Sequence, residues 1–164
     1  MNIITDKFGE LDLNDSDLIT FPRGIVGFRG ERAFVLLRKT PDSPVGWLQS
    51  VSTPGLALPV VSVDTLAAEI PIECLEIAIA QAKIATDIDH CAIMAVVCAP
   101  GGDRRATVNL LAPIIVNATT RRGAQVIVEN TKLSTQEPFI LGAAARRQAN
   151  ASRESSQVAA SMTL

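Results

Sequence analysis

Aromatic and catalytic side chains are scarce in this chain of 164 residues. Aromatic residues make up 4% of the sequence, with no tyrosine and one tryptophan, so the core must be built from Ile, Val, Leu and Ala. Such aliphatic and β-branched side chains favour β-sheets. The single histidine and three cysteines form neither a CxxC pair nor a metal-ligand cluster. We therefore expect reduced thiols, no catalytic residue, no cofactor and no bound metal.

The sequence also lacks a secretory signal and a membrane span. Its first residues, MNIITDKFGELDL, contain neither a basic start nor an apolar run. No segment approaches the roughly 20 apolar residues that cross a bilayer as a helix. We expect a cytoplasmic protein that makes no use of a membrane.

Two segments suggest catalytic or phosphate-binding chemistry only weakly. His90 precedes Cys91, but neighbouring side chains on a strand point to opposite faces, which disfavours a dyad. The aspartates around His90 favour its protonated form. Residues Pro100 to Arg105 contain two glycines and two arginines without the GxxxxGK[ST] pattern, and they predict a hairpin turn. A hydrolase that uses Cys91 or His90 is one alternative function.

The charge distribution is uneven although the net charge is only −2. Residues 1–100 carry 7 Lys and Arg against 13 Asp and Glu, whereas residues 101–164 carry 8 against 4. An acidic body repels nucleic-acid phosphate and attracts basic proteins. Direct binding to nucleic acid is not expected, and a small β-barrel that binds oligonucleotides is a second alternative.

Short β-prone segments separated by Gly and Pro predict a mostly β fold. One segment differs and predicts a helix near 71–85, because apolar residues after Pro71 recur at helical spacing and form one stripe: Ile72, Leu75, Ile79 and Ala82. The pattern as a whole predicts a single antiparallel domain over residues 1–141, barrel-like or a sandwich, with one short helix. Strands are predicted at Ile3 to Thr5, Glu10 to Leu13, Leu18 to Phe21, Phe34 to Leu37, Trp47 to Val51, Ala57 to Val63, Cys91 to Ala99, Ala106 to Asn117 and Ala124 to Glu129.

Residues 142–164 differ in composition from the rest of the chain. They are rich in Ala, Ser, Arg and Gln and contain too few large apolar residues to support burial. The stretch Ala143 to Ala149 has good helix propensity, but so short a helix is marginal in water without a docking surface. We expect a mobile or partly helical tail.

The predicted strand Thr107 to Asn117 alternates between an apolar and a polar face. Asn109, Pro113 and Asn117 share one face, and a proline has no amide to give to a β-ladder. Pro113 therefore predicts either an edge strand, which leaves a surface for another chain, or a bulge. The alternative is an ordinary strand with polar residues facing solvent. The opposite face predicts core residues at Val108, Leu110, Ala112, Ile114 and Val116.

Two further segments predict structured, partly exposed features. Pro22, Gly24 and Gly27 lie between Phe21 and Phe28, which predicts a loop held to the core by two aromatic anchors. Trp47 and Gln49 share one strand face, and this pair predicts either a core tryptophan beside a satisfied amide or a docking position.

The segments ITFPRGIVGF, WLQSVSTPGLALPVV, TVNLLAPIIVN and GAQVIVEN, in this order and spacing, resemble the family of the flagellar assembly factor FliW over residues 1–141. The resemblance implies a cytoplasmic, non-enzymatic protein that binds flagellin and, in exchange, the RNA-binding translational regulator CsrA. Capture of CsrA would relieve repression of flagellin mRNA translation. We hypothesise a partner-binding surface made from Pro22, Gly24, Phe28, Gln49, Asn109, Pro113 and Asn117.

Overall fold

The computed structural model describes residues 1–85, 87–129 and 131–147 and the single residues 150, 151, 153 and 155. Strands β1 (Asn2–Thr5) and β2 (Gly9–Asp12) form a separate antiparallel pair. The larger antiparallel sheet contains β3 (Leu18–Thr20), β4 (Ala33–Leu37), β5 (Val45–Ser50), β6 (Ala57–Ser62), β7 (Cys91–Cys98), β8 (Thr107–Asn117), β9 (Gly123–Gln125) and β10 (Glu137–Pro138). The α-helix α1 spans Ile72–Ala82, and short 3-10 helices span Asp15–Asp17, Val63–Thr65 and Ile88–His90.

The larger sheet curls until its two ends meet. Its strands follow the order β10-β8-β7-β6-β5-β4-β3, and β9 also pairs with β8. At the far end, Thr20 forms a parallel bridge with Arg122, and the Thr20 amide donates to the carbonyl of Arg121 at 2.9 Å. The result is a nearly closed antiparallel barrel, which confirms the predicted fold class.

Aliphatic side chains and two phenylalanines fill the barrel. Phe21 and Phe34 are fully buried and meet edge to face, with ring centroids 5.4 Å apart. Such a pairing adds about 0.5–1.5 kcal/mol beyond the burial of its area. The same cluster holds Ile19, Ile25, Leu48, Val60, Met94, Ile114 and Val116. Phe21 ends the predicted third strand, so the loop that follows it starts from the centre of the core.

Helix α1 packs on the outer face of the barrel, against β8 and β9. Its buried residues are Ala78, Ile79 and Ala82, which belong to one hydrophobic cluster with Ile115 of β8 and Ala124 of β9. Lys83, with φ of 53°, ends the helix in the left-handed conformation. The helix confirms the prediction near 71–85, but Ile72, which the periodicity placed on the buried stripe, is 48% exposed.

Strand β8 has neighbours on both edges. β7 pairs with one edge, while β9 and β10 pair with the two ends of the other. Between the pairs Met94–Ile114 and Val96–Asn109 the register shifts, so residues 110–113 bulge around Pro113. Of the two alternatives for Pro113, the bulge is confirmed and the edge strand is wrong. Within the described residues, β8 therefore has no open edge at Pro113 for backbone pairing with another chain.

The five residues that alternation placed on one core face of β8 are all buried, but the bulge divides them between two faces. The five are Val108, Leu110, Ala112, Ile114 and Val116. Ile114 and Val116 pack inside the barrel with Met94, whereas Val108 and Leu110 pack with Ala95 and Val97 in a separate cluster. Ile115 is buried against α1 on the outer side of the barrel, and Pro113 and Asn117 are buried as well. The expectation that Asn109, Pro113 and Asn117 form an exposed polar face is thus wrong for Pro113 and Asn117, while Asn109 is half-buried.

The connections agree with the sequence in most places. Residues 99–106 link β7 to β8 as the predicted turn, with Gly101 and Gly102 at positive φ. The predicted strand Ala124 to Glu129 ends early at Gln125, although the amides of Val126 and Val128 still donate to β8 carbonyls at 3.1 and 2.9 Å. Strand β10 was not predicted, since two residues carry no periodic signal.

None of the helices in the described ranges has the length and apolar content that a membrane crossing requires. After the barrel, residues 143–147 are helical and mostly exposed. The remainder of the predicted tail, at 148, 149, 152, 154 and 156–164, lies outside the described residues.

Candidate functional site

The loop after β3 is anchored in the core at two points. Phe21 is fully buried, and the Gly24 amide donates to the Phe21 carbonyl at 2.9 Å to close a tight turn. Ile25 is also buried and forms a bridge with Phe28, whose amide donates to the Ile25 carbonyl at 2.7 Å. The second anchor is therefore Ile25 rather than the predicted Phe28, which is 39% exposed.

Gly24 makes this turn possible. Its φ is +68°, and a Cβ at this position would lie 2.7 Å from the backbone of Arg29 and Phe28. Such a distance is too short for any real carbon contact, and the neighbouring atoms are backbone that cannot rotate away. Gly24 therefore brings the two arms of the loop together, and Val26 and Phe28 point outward at the tip.

A cleft of about 520 Å³ lies between this loop and β9. Its apolar lining comes from Pro22, Ile25 and Val26, and its polar lining from Gln125 and three arginines. The Val26 amide donates to Gln125 Oε1 at 2.9 Å, while Gln125 Nε2 donates to the Ala112 carbonyl at 3.0 Å. Gln125 thus ties the tip of the loop to the barrel wall.

A second cleft of about 250 Å³ adjoins the first and shares Pro22 and Arg23 with it. The C-terminal end of α1 and strand β9 form its other walls. Arg23 Nη2 donates to the Ala82 carbonyl at 3.2 Å, which satisfies one of the free carbonyls at the helix end. A Cβ on Gly123 would lie 2.5 Å from the Phe21 ring, so only glycine lets the β9 wall approach so closely.

Basic side chains dominate both clefts. Among the residues that the structure describes, none of these cations forms a salt bridge, and no carboxylate lines either cleft. Glu31, close by in sequence, is engaged elsewhere, since its carboxylate accepts from the Ser50 and Thr53 hydroxyls. These hydrogen bonds lower the pKa of Glu31. The basic lining residues are Arg23, Arg29, Arg32, Lys83 and Arg122.

Gln49 lies inside the protein, where its side chain bonds to backbone carbonyls. It is fully buried, and its Nε2 donates to the carbonyls of Ser50 and Pro54 at 3.0 and 3.2 Å. Its Oε1 has no partner among the described atoms. Trp47 is half-buried on the same strand, and Lys7 Nζ lies 3.9 Å from its ring centroid. Gln49 thus holds the turn after β5 in place.

The two asparagines of β8 bond to backbone groups. Asn117 Nδ2 donates to the carbonyls of Ile84 and Ala85 at 3.3 and 3.0 Å, and its Oδ1 accepts from the amides of Thr119 and Thr120 at 2.9 Å each. Asn109 Oδ1 accepts from the Ala112 amide at 3.0 Å inside the bulge. Since Ile84 lines the smaller cleft, Asn117 positions one of its walls.

The structure brings only part of the hypothesised partner-binding set together. Pro22 and Gly24 line the larger cleft and Phe28 lies on the same loop, whereas the other four residues are on β5 and β8. The sequence hypothesis did not include the cations around the clefts. The sequence signal for these cations was faint, because small and apolar residues separate Arg23 from Arg29, and Gly30 and Glu31 separate Arg29 from Arg32.

His90 and Cys91 show no arrangement of nucleophile and base. His90 is exposed, and its Nδ1 lies 2.7 Å from Asp87 Oδ1, a contact that raises the pKa of His90 and lowers that of Asp87. Burial raises the pKa of the Cys91 thiol, with a further contribution from Asp87 and Asp89. A raised pKa keeps the thiol protonated and weakly nucleophilic. No group of three or more His, Cys, Asp or Glu suited to a metal occurs in the described part of the chain.

Comparisons with known proteins cover the barrel and both clefts. The model of the family described as FliW protein matches residues 2–140. The flagellar assembly factor FliW of Geobacter sulfurreducens is 34% identical over 156 residues, which is 95% of this chain and 96% of that protein. The protein of the same name from Moorella thermoacetica is 38% identical over 142 residues, covering 83% and 86%. A crystal structure of the flagellar assembly factor FliW superposes with a TM-score of 0.66 at 30% identity, over 84% of this chain and 96% of that one.

Proposed function

Because this chain belongs to the FliW family, we propose that it is a flagellar assembly factor that binds flagellin and, in exchange, the translational regulator CsrA. In this proposal it acts in the cytoplasm without catalysis, and it contacts neither membrane nor nucleic acid directly. The observation that carries the proposal is the family match over residues 2–140, which includes every element of the barrel.

The proposed exchange follows the supply of flagellin. Flagellin retained in the cell occupies the protein and leaves CsrA free to repress translation of flagellin mRNA. Export of flagellin releases the protein, which then captures CsrA and relieves the repression. Such an exchange requires two affinities of similar size, because each tenfold difference corresponds to only about 1.4 kcal/mol.

The loop after β3 is the part of the structure best suited to reversible contact with a protein. Pro22, Val26 and Phe28 are exposed there, although the backbone beneath them is held by Phe21 and Ile25. Apolar side chains on a rigid backbone lose little conformational freedom when a partner covers them. We assign the partner contact to Pro22 and Phe28, with Gly24 shaping the loop.

The other four hypothesised residues enter the proposal as positioning residues. Asn117 fixes the chain after α1, which forms a wall of the smaller cleft. Gln49, Asn109 and Pro113 shape the turn after β5 and the bulge of β8. Their effect on binding is expected to run through the backbone that they hold.

Co-purification tests the proposed exchange. The tagged chain is recovered from lysates of its own cells before and after flagellin export is blocked, and the captured proteins are identified by mass spectrometry. Blocking export is expected to increase flagellin and reduce CsrA on the tagged chain. Failure of the purified chain to bind either purified partner would refute the proposal.

A pair of point variants tests the assigned surface. Phe28→Ser is expected to weaken capture of at least one partner while the melting temperature stays within a few degrees of wild type. Ile4→Ser is the matched control, because Ile4 is 73% exposed on the separate strand pair. Equal binding by both variants would exclude Phe28 from the contact.

A further inference from the structure

We propose that the two adjoining clefts form one binding site for an acidic peptide segment, in which carboxylates flank a large apolar side chain. The inference rests on the proposed function, since it gives the chemistry of a protein partner at the loop after β3. It goes beyond that function by assigning the cations of the clefts as the recognition groups.

The two clefts share two lining residues, and hydrogen bonds hold their walls in place. Pro22 and Arg23 border both, and Arg23 is oriented by its hydrogen bond to the Ala82 carbonyl. Gln125 fixes the outer wall of the larger cleft by accepting from the Val26 amide. A site with this backbone support needs little rearrangement to accept a ligand.

The positive charge of the clefts favours an anionic ligand. Their five cations repel one another and have no carboxylate partner within the described ranges. This clustering of basic residues contrasts with the acidic composition of residues 1–100, which hold only 7 basic residues and 13 acidic ones. Four of those 7 line the clefts: Arg23, Arg29, Arg32 and Lys83.

Arginine also selects the kind of anion. A guanidinium donates two parallel hydrogen bonds to a carboxylate in a planar pair, which a lysine ammonium cannot match. Arg29 and Arg32 are exposed, and neither guanidinium group forms a hydrogen bond or a salt bridge among the described residues. Both guanidinium groups are therefore available to a ligand in the larger cleft.

The apolar part of the lining favours a peptide over a nucleic acid. Val26 is 58% exposed at the rim of the larger cleft, and Ile25 and Pro22 line it. An aliphatic rim suits an apolar side chain, whereas single-stranded nucleic acids need several aromatic rings on which bases stack. Phe28 is the only aromatic residue of this loop after Phe21.

A labelled model peptide tests the site in the full-length protein. The probe is a short fluorescein-labelled peptide of alternating Glu-Glu and Leu-Leu pairs, and its binding is followed by fluorescence anisotropy. We expect saturable binding that weakens as salt is added, because salt screens exposed charge pairs. The same peptide with Gln in place of every Glu is expected to bind at least about tenfold more weakly.

Two double variants distinguish peptide binding at the clefts from nonspecific electrostatic attraction between the peptide and the protein. Arg29→Gln with Arg32→Gln removes two cleft cations, and Arg104→Gln with Arg105→Gln removes two exposed cations from the β7–β8 turn. The first pair is expected to lower affinity for the Glu peptide about tenfold or more, and the second less than about twofold. Thermal melting is measured on both to check that the fold is retained.

The inference is overturned if the Glu peptide fails to bind, if the Gln peptide binds as well, or if both double variants lose affinity equally. Tighter binding of an oligouridylate of similar length, lost in the Arg29 and Arg32 variant, also overturns it in favour of nucleic acid. Peptide binding without capture of flagellin or CsrA supports the site and refutes the proposed function. Capture of either partner without peptide binding supports the proposed function and refutes the site.

Discussion

The side chain of Gln125 accepts a hydrogen bond from the backbone amide of Val26 at 2.9 Å, across 99 residues of sequence. Its amide nitrogen donates to the Ala112 carbonyl at the same time. A single side chain thereby joins the exposed loop after β3 to the wall made by β8 and β9. The position of the candidate binding loop thus depends on this bridge.

Replacing Gln125 by Ala is expected to loosen the loop. Loss of two hydrogen bonds destabilises the protein by about 1–2 kcal/mol, and the Val26 amide loses its only acceptor among the described residues. Native-state hydrogen exchange of Val26 checks this, with faster exchange expected than in wild type. Gln136→Ala is the control, since Gln136 is exposed and its side chain makes no hydrogen bond among the described residues. Unchanged Val26 exchange would contradict the bridging role.

Alanine at Gly24 is expected to destabilise the fold more than alanine at Gly27. Both residues have positive φ, which costs a non-glycine residue about 1–2 kcal/mol. Only at Gly24 does the added Cβ also meet backbone atoms, at 2.7 Å, while nothing lies within 4 Å at Gly27. Urea unfolding of the two variants measures the difference. Equal stability would mean that the turn opens without cost.

Substitution of Asn117 by Ala is expected to cost about 2–3 kcal/mol, because four hydrogen bonds of a buried amide are lost. Asn109→Ala is expected to cost about 1 kcal/mol, since it removes a single bond to Ala112. Chemical denaturation gives both values. Binding of flagellin and CsrA is then measured in whichever variant melts normally, and unchanged binding of both partners would remove that residue from the site.

His90 and Asp87 are expected to make stability depend weakly on pH. The contact with Asp87 raises the pKa of His90 above its ordinary 6.5, so its contribution is complete below pH 6.5 and is lost as pH rises through the folded pKa. The same contact lowers the pKa of Asp87 below 3.8, so that contribution is present above pH 3.8 and is lost as pH falls further. The stabilisation is therefore greatest between these two values.

An NMR titration of the imidazole measures this effect directly, because the chain has a single histidine. A raised midpoint is expected in wild type and a fall towards 6.5 in Asp87→Asn. Asp64→Asn is the control at a carboxylate outside the Asp87–His90 contact. A wild-type midpoint at or below 6.5 would contradict the contact.

Local pattern predicted the strands well but misjudged which of their faces are buried. Alternation identified Val108, Leu110, Ala112, Ile114 and Val116 as core, and all are buried. It could not reveal that the bulge divides these residues between two clusters, or that α1 covers the face on which Ile115 lies. Periodicity reports one apolar face of an element, whereas burial of the other face depends on an element distant in sequence.

Helix α1 also shows that periodicity alone does not determine which residues are buried. Spacing placed Ile72 on the buried stripe, yet the helix contacts the barrel through Ala78, Ile79 and Ala82 near its C-terminal end. Ile72 therefore lies beyond the contact with the barrel, although Cys74 and Leu75 of the same turn are partly buried against it. Which turns of a helix are covered is decided by where the sheet ends, and that is a property of the assembled layers.

Family membership and the β character of the chain were readable from its residues, because turn chemistry and two-residue alternation act over short distances. Barrel closure at Thr20 and Arg122 and the meeting of Arg23, Arg29, Lys83 and Arg122 around two clefts required the folded chain. Charge at a site is the sum over residues that chain folding brings together from separate segments. No local stretch carries that sum, so the basic clefts of an acidic protein emerge only in three dimensions.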